Sequence, residues 1–314
     1  MKKFAFVFPG QGSQSVGMLD AWQGHPVVVQ TLAEASDALG EDVAQLIHTG
    51  PKEALALTTN TQPVMLVAAV AAWRVWQAEG GAQPEALAGH SLGEYSALVA
   101  AGVLTLAQAA PLVRLRAQAM QEAVPVGTGA MAAILGMNAD AVTAGCAEVT
   151  ASLGGAEVVE AVNFNDPAQT VIAGSKLAVE KACEALKAAG AKRALPLPVS
   201  APFHSSLMKP AAEKLRAALA QTAFAAPRIA VINNIDVAVQ TEADAIREAL
   251  YRQAFGPVRW VECVQAMKAR GITHLVECGP GKVLTGLTRR IDAELVGAAL
   301  SDPATLAEVK ELIA

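Results

Sequence analysis

Hydrophobic residues in this chain form short unbroken runs that alternate with longer segments of helical periodicity. The first run, FAFVF at residues 4–8, stops at a Pro-Gly pair, and such a run is typical of a strand buried on both faces. Similar runs predict strands at 4–8, 85–88, 130–135, 157–163, 169–174, 191–197, 229–233 and 274–277. Helical spacing predicts helices at 25–39, 42–48, 51–57, 64–78, 94–101, 106–124, 139–152, 177–189, 206–220 and 241–253, one that ends near 270 and a last one after 281. Pro63 is expected near the first position of the 64–78 helix.

The order of elements changes between residues 126 and 197. Strand, helix, two strands, helix and strand follow one another there, which is the βαββαβ order of a ferredoxin-like unit. Prolines and glycines flank the segment, as expected of an insertion. We therefore predict an α/β protein with a large, discontinuous α/β-hydrolase-like domain at 1–125 and 198–314. This domain has a parallel sheet and carries an inserted ferredoxin-like subdomain at 126–197.

Composition narrows the class of protein. Hydrophobic residues make up 53% of the chain and aromatics only 4%, so the interior is mainly small and aliphatic, which suits buried parallel strands. The net charge of −5 argues against general nucleic-acid binding. The amino-terminal apolar run is too short for a signal peptide, and the longest apolar stretch, 64–73, is half a membrane span. We expect a cytoplasmic protein that binds neither nucleic acid nor membrane.

Cysteine and histidine spacing gives no sign of a metal. The four cysteines are scattered along the chain: Cys146, Cys183, Cys263 and Cys278. They contain no C-x-x-C pair, and the five histidines contain no H-x-H or H-x-x-x-H pair. We predict reduced core cysteines and no metal site.

Gly89, Ser91 and Gly93 form a G-x-S-x-G sequence between a predicted strand and a predicted helix. This is the pattern of a nucleophile elbow, in which a sharp turn exposes a serine hydroxyl. The glycines allow strand and helix to pass closely, and the amino terminus of the helix favours negative charge at the serine. The alternative is a tight turn with an idle serine.

A glycine-rich loop, GQGSQ at 10–14, follows the first strand. It lacks the third glycine of a dinucleotide-binding loop and the Lys of a phosphate-binding loop. Two interpretations remain: a loop that brings backbone N–H groups close to an anion, or a flexible turn.

Ser91 needs a base, because a free hydroxyl is un-ionised at neutral pH. His90 is adjacent, but its side chain points away in most elbows. His274 is late in the chain, as in an ordinary α/β-hydrolase, whereas His204 lies in a loop beside Pro202. Spacing alone does not choose between His204 and His274.

Six motifs occur in one order along the chain. They are FPGQGSQ at 8–14, GHSLGE at 89–94, the Arg116 helix with MQEA at 120–123, NFN at 163–165, PFH at 202–204 and ECGPG at 277–281. Together they resemble the malonyl-CoA:acyl carrier protein transacylase family over residues 1 to about 300. The combination is far more specific than any single motif.

The resemblance implies a chemistry for the elbow. Ser91 is the acylated nucleophile, and His204 is the general base of a dyad, oriented by a main-chain carbonyl near Gln253 in LYRQ at 250–253. The backbone N–H groups of Gln11 and Leu92 form the oxyanion hole.

The resemblance also implies a selector for the acyl group. Arg116, which alone would be typical of a surface arginine, binds the free malonyl carboxylate, since a guanidinium offers two parallel hydrogen bonds. His90 supports the site from behind, while Met131 and Phe203 are expected walls of the pocket. Phe203 before the histidine is similar to malonyl-preferring members. A Gly256-Pro257 pair stands where the family usually has Asn-Pro, and a local loop change is expected there.

The implied partners are malonyl-CoA and an acyl carrier protein, which brings its own phosphopantetheine, so no cofactor is expected. The implied reaction is ping-pong, in fatty acid synthesis, by a monomer. Carrier proteins are acidic, and Lys192 and Arg193 are candidates for a basic rim, although a solvated surface is the simpler explanation.

Three alternatives stay open at this stage. The first is a serine esterase or thioesterase that uses His274 and has no need of Arg116. The second is an acyltransferase of a polyketide pathway. The third is a docking module for carrier proteins with an inert elbow.

Overall fold

The computed structural model describes residues 2–199 and 201–314. Within these residues nine strands form two sheets. The strands are β1 Phe4–Phe8, β2 Ala86–Gly89, β3 Gly129–Leu135, β4 Val159–Asp166, β5 Gln169–Ser175, β6 Arg193–Pro196, β7 Ala230–Ile232, β8 His274–Cys278 and β9 Val296–Leu300. The α-helices are α1 Pro26–Leu39, α2 Val43–Thr49, α3 Lys52–Ala56, α4 Thr58–Ala78, α5 Gly93–Ala100, α6 Leu106–Glu122, α7 Ala139–Ser152, α8 Lys176–Ala188, α9 Lys209–Gln221, α10 Ala243–Phe255, α11 Trp260–Ala269, α12 Val283–Ile291 and α13 Pro303–Ile313.

The larger sheet is parallel, with strand order β7-β2-β1-β8-β9. Its central strand β1 is buried along its whole length. Phe4, Phe6 and Phe8 point into the core that contains α4, and Phe6 meets Trp76 edge-on at 5.2 Å between ring centroids. The alternate residues of β1 join a second core with α11 on the other face. A strand covered on both faces explains why its sequence has no polar alternation.

The smaller sheet is antiparallel, with strand order β4-β5-β3-β6. Its elements follow the βαββαβ order predicted for this part of the chain. Helices α7 and α8 share a core with one face of this sheet. The opposite face carries Met131 and Val171, against which Phe203 packs. The backbone of Phe164 donates to the Val258 carbonyl at 3.0 Å, which ties β4 to the larger unit.

Helix α4 begins at Thr58, and Pro63 lies inside it rather than near its start as predicted. An internal proline leaves the carbonyl four residues earlier without its helical donor. Here that carbonyl belongs to Thr59, and Arg114 Nη1 on the neighbouring α6 donates to it at 2.6 Å. A hydrogen bond from another helix therefore satisfies the Thr59 carbonyl, and this allows α4 to start before the proline.

The chain continues past the last predicted helix with β9 and α13. The sequence of β9, VGAAL, has no β-branched run and only its last two residues are buried, so its pattern is weak as a strand signal. It is held as an edge strand by parallel pairing with β8. Among the described residues, no helix is long and apolar enough to cross a membrane.

Candidate active site

Ser91 occupies a sharp turn between the end of β2 at Gly89 and the start of α5 at Gly93, with φ at +53°. A Cβ on Gly89 would lie 1.9 Å from the carbonyl carbon of Gly93, and a Cβ on Gly93 would lie 2.1 Å from the Phe8 oxygen. At both positions the added Cβ would collide with backbone atoms, which cannot move aside as a side chain could, so neither position can accept a side chain. The turn thus has the geometry of a nucleophile elbow.

His204 reaches the elbow from the loop before α9. Its Nε2 lies 2.6 Å from Ser91 Oγ, and its Nδ1 faces two carbonyl oxygens, Gln253 at 2.9 Å and Gly256 at 3.2 Å. Because carbonyls only accept, Nδ1 carries the hydrogen and Nε2 accepts from the serine hydroxyl. The second acceptor is the main-chain carbonyl of Gly256, which any residue at this position offers, so the Gly-Pro pair at 256–257 keeps this contact.

His274 lies at the amino-terminal ends of the strands of the parallel sheet, whereas Ser91 lies at their carboxyl ends. His274 begins β8 beside Phe4, and Ser91 follows the end of β2. The intervening strand length is roughly 13 Å, and His274 Nδ1 is 2.8 Å from Thr273 Oγ1. The interpretation in which His274 serves as the base is therefore wrong, and the serine and His204 form the pair.

His204 is expected to remain uncharged at pH values far below the usual pKa range of histidine. Burial, and after it the nearby Arg116 guanidinium, lower its pKa from 6.5 to about 3. The unfolded chain takes up this proton near pH 6.5, so His204 contributes stability that is present above that value and is lost progressively as the pH falls from about 6.5 toward about 3. In an NMR titration the ring nitrogens of His204 should keep neutral-imidazole shifts from pH 8 down to about pH 4. Protonation near pH 6.5 in the folded protein would contradict the burial argument.

Arg116 of α6 is 2% exposed and its guanidinium points at the same hydroxyl. Nη2 lies 3.2 Å from Ser91 Oγ and 3.1 Å from Gln253 Oε1, and Nη1 lies 2.6 Å from Gln62 Oε1. These partners are neutral, and no salt bridge of Arg116 occurs within residues 2–199 and 201–314. A buried cation without a carboxylate is costly, so the site is arranged for an anionic ligand.

A cavity of about 430 Å³ opens at the dyad. Ser91, His204 and Arg116 line it together with the other predicted wall and loop residues: Gln11, His90, Leu92, Met131 and Phe203. Gln253 lies behind Arg116 and holds it through the amide oxygen. The predicted site residues are thus brought together, although they come from both ends of the chain.

The backbone N–H groups of Gln11 and Leu92 donate to no partner among the described residues, and both residues border the cavity beside Ser91. The imidazole of His90 turns away from the serine, as expected. Its Nε2 pairs with Asn165 Oδ1 at 2.8 Å, and its ring packs on Trp260 at 5.5 Å between centroids. Burial lowers the pKa of His90, so this side chain is a neutral wall of the site.

Three further residues contact this centre and were not among those predicted: Gln62, Glu94 and Asn234. Each is at most 2% exposed. Their only sequence signal is a polar residue inside an apolar run or directly after a short strand, which indicates a buried polar contact without naming its partner. Within the described parts of the chain, no cluster of three or more His, Cys, Asp or Glu side chains could hold a metal ion.

Comparison with known proteins agrees with this geometry. The family model described as the acyl transferase domain matches residues 5–295. The chain is 56% identical to the malonyl CoA-acyl carrier protein transacylase of Escherichia coli K12, over 99% of this chain and 100% of that protein. It is 52% identical to the Haemophilus influenzae protein of the same name, over the full length of both.

Solved structures show the same fold. An acyl-carrier-protein S-malonyltransferase from Burkholderia pseudomallei superposes with a TM-score of 0.96 at 65% identity, covering 98% of this chain and 99% of that one. A malonyl-transacylase in complex with its type II polyketide synthase acyl-carrier protein gives a TM-score of 0.96 at 54% identity, covering 99% and 100%. The chain belongs to the malonyl CoA-acyl carrier protein transacylase family of acyl transferases.

Proposed function

We propose that this protein moves the malonyl group from malonyl-CoA to the phosphopantetheine thiol of an acyl carrier protein through a malonyl ester of Ser91. One observation carries the proposal. The Ser91 hydroxyl lies 2.6 Å from a neutral histidine and 3.2 Å from a buried arginine that has no carboxylate partner among the described residues. A nucleophile, its base and a receptor for a second carboxylate thus meet at one oxygen atom. The names of the relatives support the same reaction.

In the first half-reaction His204 Nε2 takes the proton as Ser91 Oγ attacks the thioester carbonyl. The carbonyls of Gln253 and Gly256 face Nδ1, and they stabilise the imidazolium that forms without a carboxylate. The backbone N–H groups of Gln11 and Leu92 receive the negative oxygen of the tetrahedral intermediate. Collapse of this intermediate breaks the C–S bond, and His204 returns the proton to the CoA sulfur.

Arg116 selects the acyl group. The malonyl carboxylate replaces the serine hydroxyl as a partner of Nη2, while the amides of Gln62 and Gln253 keep the guanidinium in place. An acetyl group would leave the buried guanidinium without an anion in direct contact. Malonyl transfer is therefore favoured over acetyl transfer.

In the second half-reaction the carrier-protein thiol gives its proton to His204 and attacks the malonyl ester carbonyl. Collapse of the tetrahedral intermediate that forms breaks the bond from the carbonyl carbon to Ser91 Oγ, and His204 returns the proton to Oγ, which regenerates Ser91. Water must be kept from the ester in the interval. Met131 and Phe203 supply apolar walls for this purpose, and Met131 is only 5% exposed. The bulk of Phe203 beside His204 also disfavours a branched malonyl group.

We further propose that the larger unit, 1–125 with 198–314, is an α/β-hydrolase-like domain and that 126–197 is a ferredoxin-like insertion. The elbow and the strand order β4-β5-β3-β6 support this division. The protein acts in fatty acid synthesis as a cytoplasmic monomer, without a cofactor of its own and without nucleic acid or membrane as partners. Lys192 and Arg193, both exposed, belong to the basic rim for the carrier protein. The relative solved with a polyketide carrier protein supports a polyketide pathway as the second candidate.

Replacing Arg116 with alanine tests the proposal. Losing one partner of a buried charge pair costs about 3–4 kcal/mol, so malonylation of Ser91 should slow by about 10²–10³-fold. Acid-quenched reactions with malonyl-CoA and acetyl-CoA are compared by peptide mass spectrometry. Arg116→Lys should rescue only partly, because lysine lacks the planar fork.

Arg270→Ala, at an exposed helix end, is the matched control and should acylate like the unchanged protein. Free CoA that accumulates without an adduct on the Ser91 peptide would indicate a hydrolase instead. Neither adduct nor CoA would leave a docking module with an inert elbow.

A further inference from the structure

The backbone of Ser91 is held on both sides, at its N–H and at its carbonyl, by side-chain amides. Its N–H donates to Asn234 Oδ1 at 2.8 Å, and its carbonyl accepts from Gln253 Nε2 at 3.0 Å. Asn234 Nδ2 also donates to the Gly89 carbonyl at 2.7 Å. Asn234 therefore spans the elbow from the last residue of β2 to the nucleophile.

Both residues, Asn234 and Gln253, are held in turn by one carboxylate oxygen. Glu94 Oε2 accepts from the backbone N–H of Asn234 at 2.9 Å and from Gln253 Nε2 at 3.0 Å. Glu94 lies in the first turn of α5 and is 2% exposed. Burial raises its pKa to about 7, so a charge is kept out of water here at a cost in stability. The nearby Arg116 guanidinium favours the charge of Glu94, but no step of the proposed mechanism uses this carboxylate, and its hydrogen bonds to Asn234 and Gln253 need an explanation of their own.

The strain at Ser91 supplies an explanation. A non-glycine residue at φ of +53° costs of order 1–3 kcal/mol and persists only where its surroundings fix it. The chain provides this support from β7, which pairs with β2 and ends at Ile232, two residues before Asn234. Relaxation of the turn would move Ser91 Oγ away from His204.

We infer that Glu94 and Asn234 are positioning residues that hold the strained Ser91 peptide and thereby set the distance from Ser91 Oγ to His204 Nε2. Asn234 acts on the elbow directly. Glu94 acts through Asn234 and Gln253, and so connects the serine with the amide that also holds Arg116. The assay below rests on the proposed malonyl transfer, but the inference concerns the geometry of the nucleophile.

The contacts predict that replacing Asn234 lowers the acylation rate of Ser91 but leaves the affinity for malonyl-CoA nearly unchanged. Asn234 contacts the elbow, whereas Gln253 contacts both the elbow and Arg116. A misplaced nucleophile slows reaction by about 10²-fold. Asn234→Ala should therefore lower the maximal acylation rate by about 10²-fold and leave the half-saturating malonyl-CoA concentration within about 3-fold, because only a transition-state interaction is lost.

Glu94 offers a test by rescue. Both hydrogen bonds fall on a single oxygen, so the amide oxygen of Glu94→Gln can accept both, and this variant should acylate within about 5-fold of the unchanged protein. Glu94→Ala removes this oxygen and both hydrogen bonds with it, and its acylation rate should fall as in Asn234→Ala. The matched control is Asn233→Ala, since Asn233 is buried beside Asn234 but its side chain accepts from Asp236 N at 2.7 Å and not from the elbow.

Single-turnover acylation is measured for each folded variant, with malonyl-CoA and with a neutral alkyl fluorophosphonate that needs Ser91 and His204 but no carboxylate. If an alanine variant does not fold, Asn234→Asp keeps the acceptor for Ser91 N–H and replaces the donor to Gly89, and it should slow both reactions. Variants that fold and react at the rate of Asn233→Ala would overturn the inference. Unchanged protein that takes the phosphonate but no malonyl group would overturn the proposed function instead, and the comparison of variants would still stand.

Discussion

Replacing Ser91 with alanine is expected to abolish the malonyl-enzyme and to lower transfer to the carrier protein by at least about 10⁵-fold, as loss of a serine nucleophile does in other acyl transfer enzymes. The reason is local. Within the cavity wall, Ser91 Oγ is the oxygen that contacts both His204 and Arg116. Alanine removes it while leaving the elbow and the malonyl receptor in place. The measurement is rapid-quench acylation followed by transfer to the carrier protein.

Ser152→Ala is the matched control, because Ser152 ends α7 on the exposed side of the smaller unit. It should form the adduct at the unchanged rate. Binding of malonyl-CoA to Ser91→Ala should persist, since Arg116 is still present. If Ser91→Ala forms a malonyl adduct on another residue, fast enough to support transfer, the assignment of Ser91 as the nucleophile is contradicted.

Replacing His204 with alanine is expected to slow acylation by about 10³–10⁴-fold, toward the upper range for a general base. The serine hydroxyl would lose the acceptor that lies 2.6 Å away, and no second base replaces it, because His90 pairs with Asn165 instead. The decrease should be partly reversed at high pH, where hydroxide can take the proton. Acylation rates of the variant across pH 6 to 10 check both statements.

His274→Ala separates this result from the hydrolase alternative. His274 lies at the amino-terminal ends of the strands, opposite to Ser91, so its removal should leave acylation unchanged. Loss of activity in His274→Ala with retention in His204→Ala would reverse the assignment of the base.

The hydrophobic pattern along the chain predicted the strands that are buried at every position, such as β1. Strand β1 is apolar at every position and is covered on both faces, so its pattern and its environment agree. The elbow was predictable because Gly89 and Gly93 are excluded from bearing a Cβ by backbone atoms. The remaining site residues were assigned by resemblance to a family, which places distant motifs together without deriving their distances.

Long-range contacts account for what the sequence did not predict. The early start of α4 depends on an arginine 55 residues away from the carbonyl it satisfies. Strand β9 depends on its pairing with β8 rather than on its own pattern. The choice of His204 over His274 depends on the end of the strands at which each histidine lies. The support of Ser91 by Asn234 spans 143 residues. Periodicity carries no information on contacts of this length.

The spatial order of strands in the parallel sheet differs from the order in which they are synthesised. Its central strand is made first, yet its neighbours begin at residues 86 and 274. The nucleophile likewise emerges from the ribosome 113 residues before its base and 162 residues before the amide that holds its carbonyl. A nascent chain therefore carries an unsupported serine for most of its synthesis, and a chain cut short before residue 253 has no competent dyad. The contacts that make Ser91 a nucleophile toward thioesters can therefore form only after residue 253 has been made.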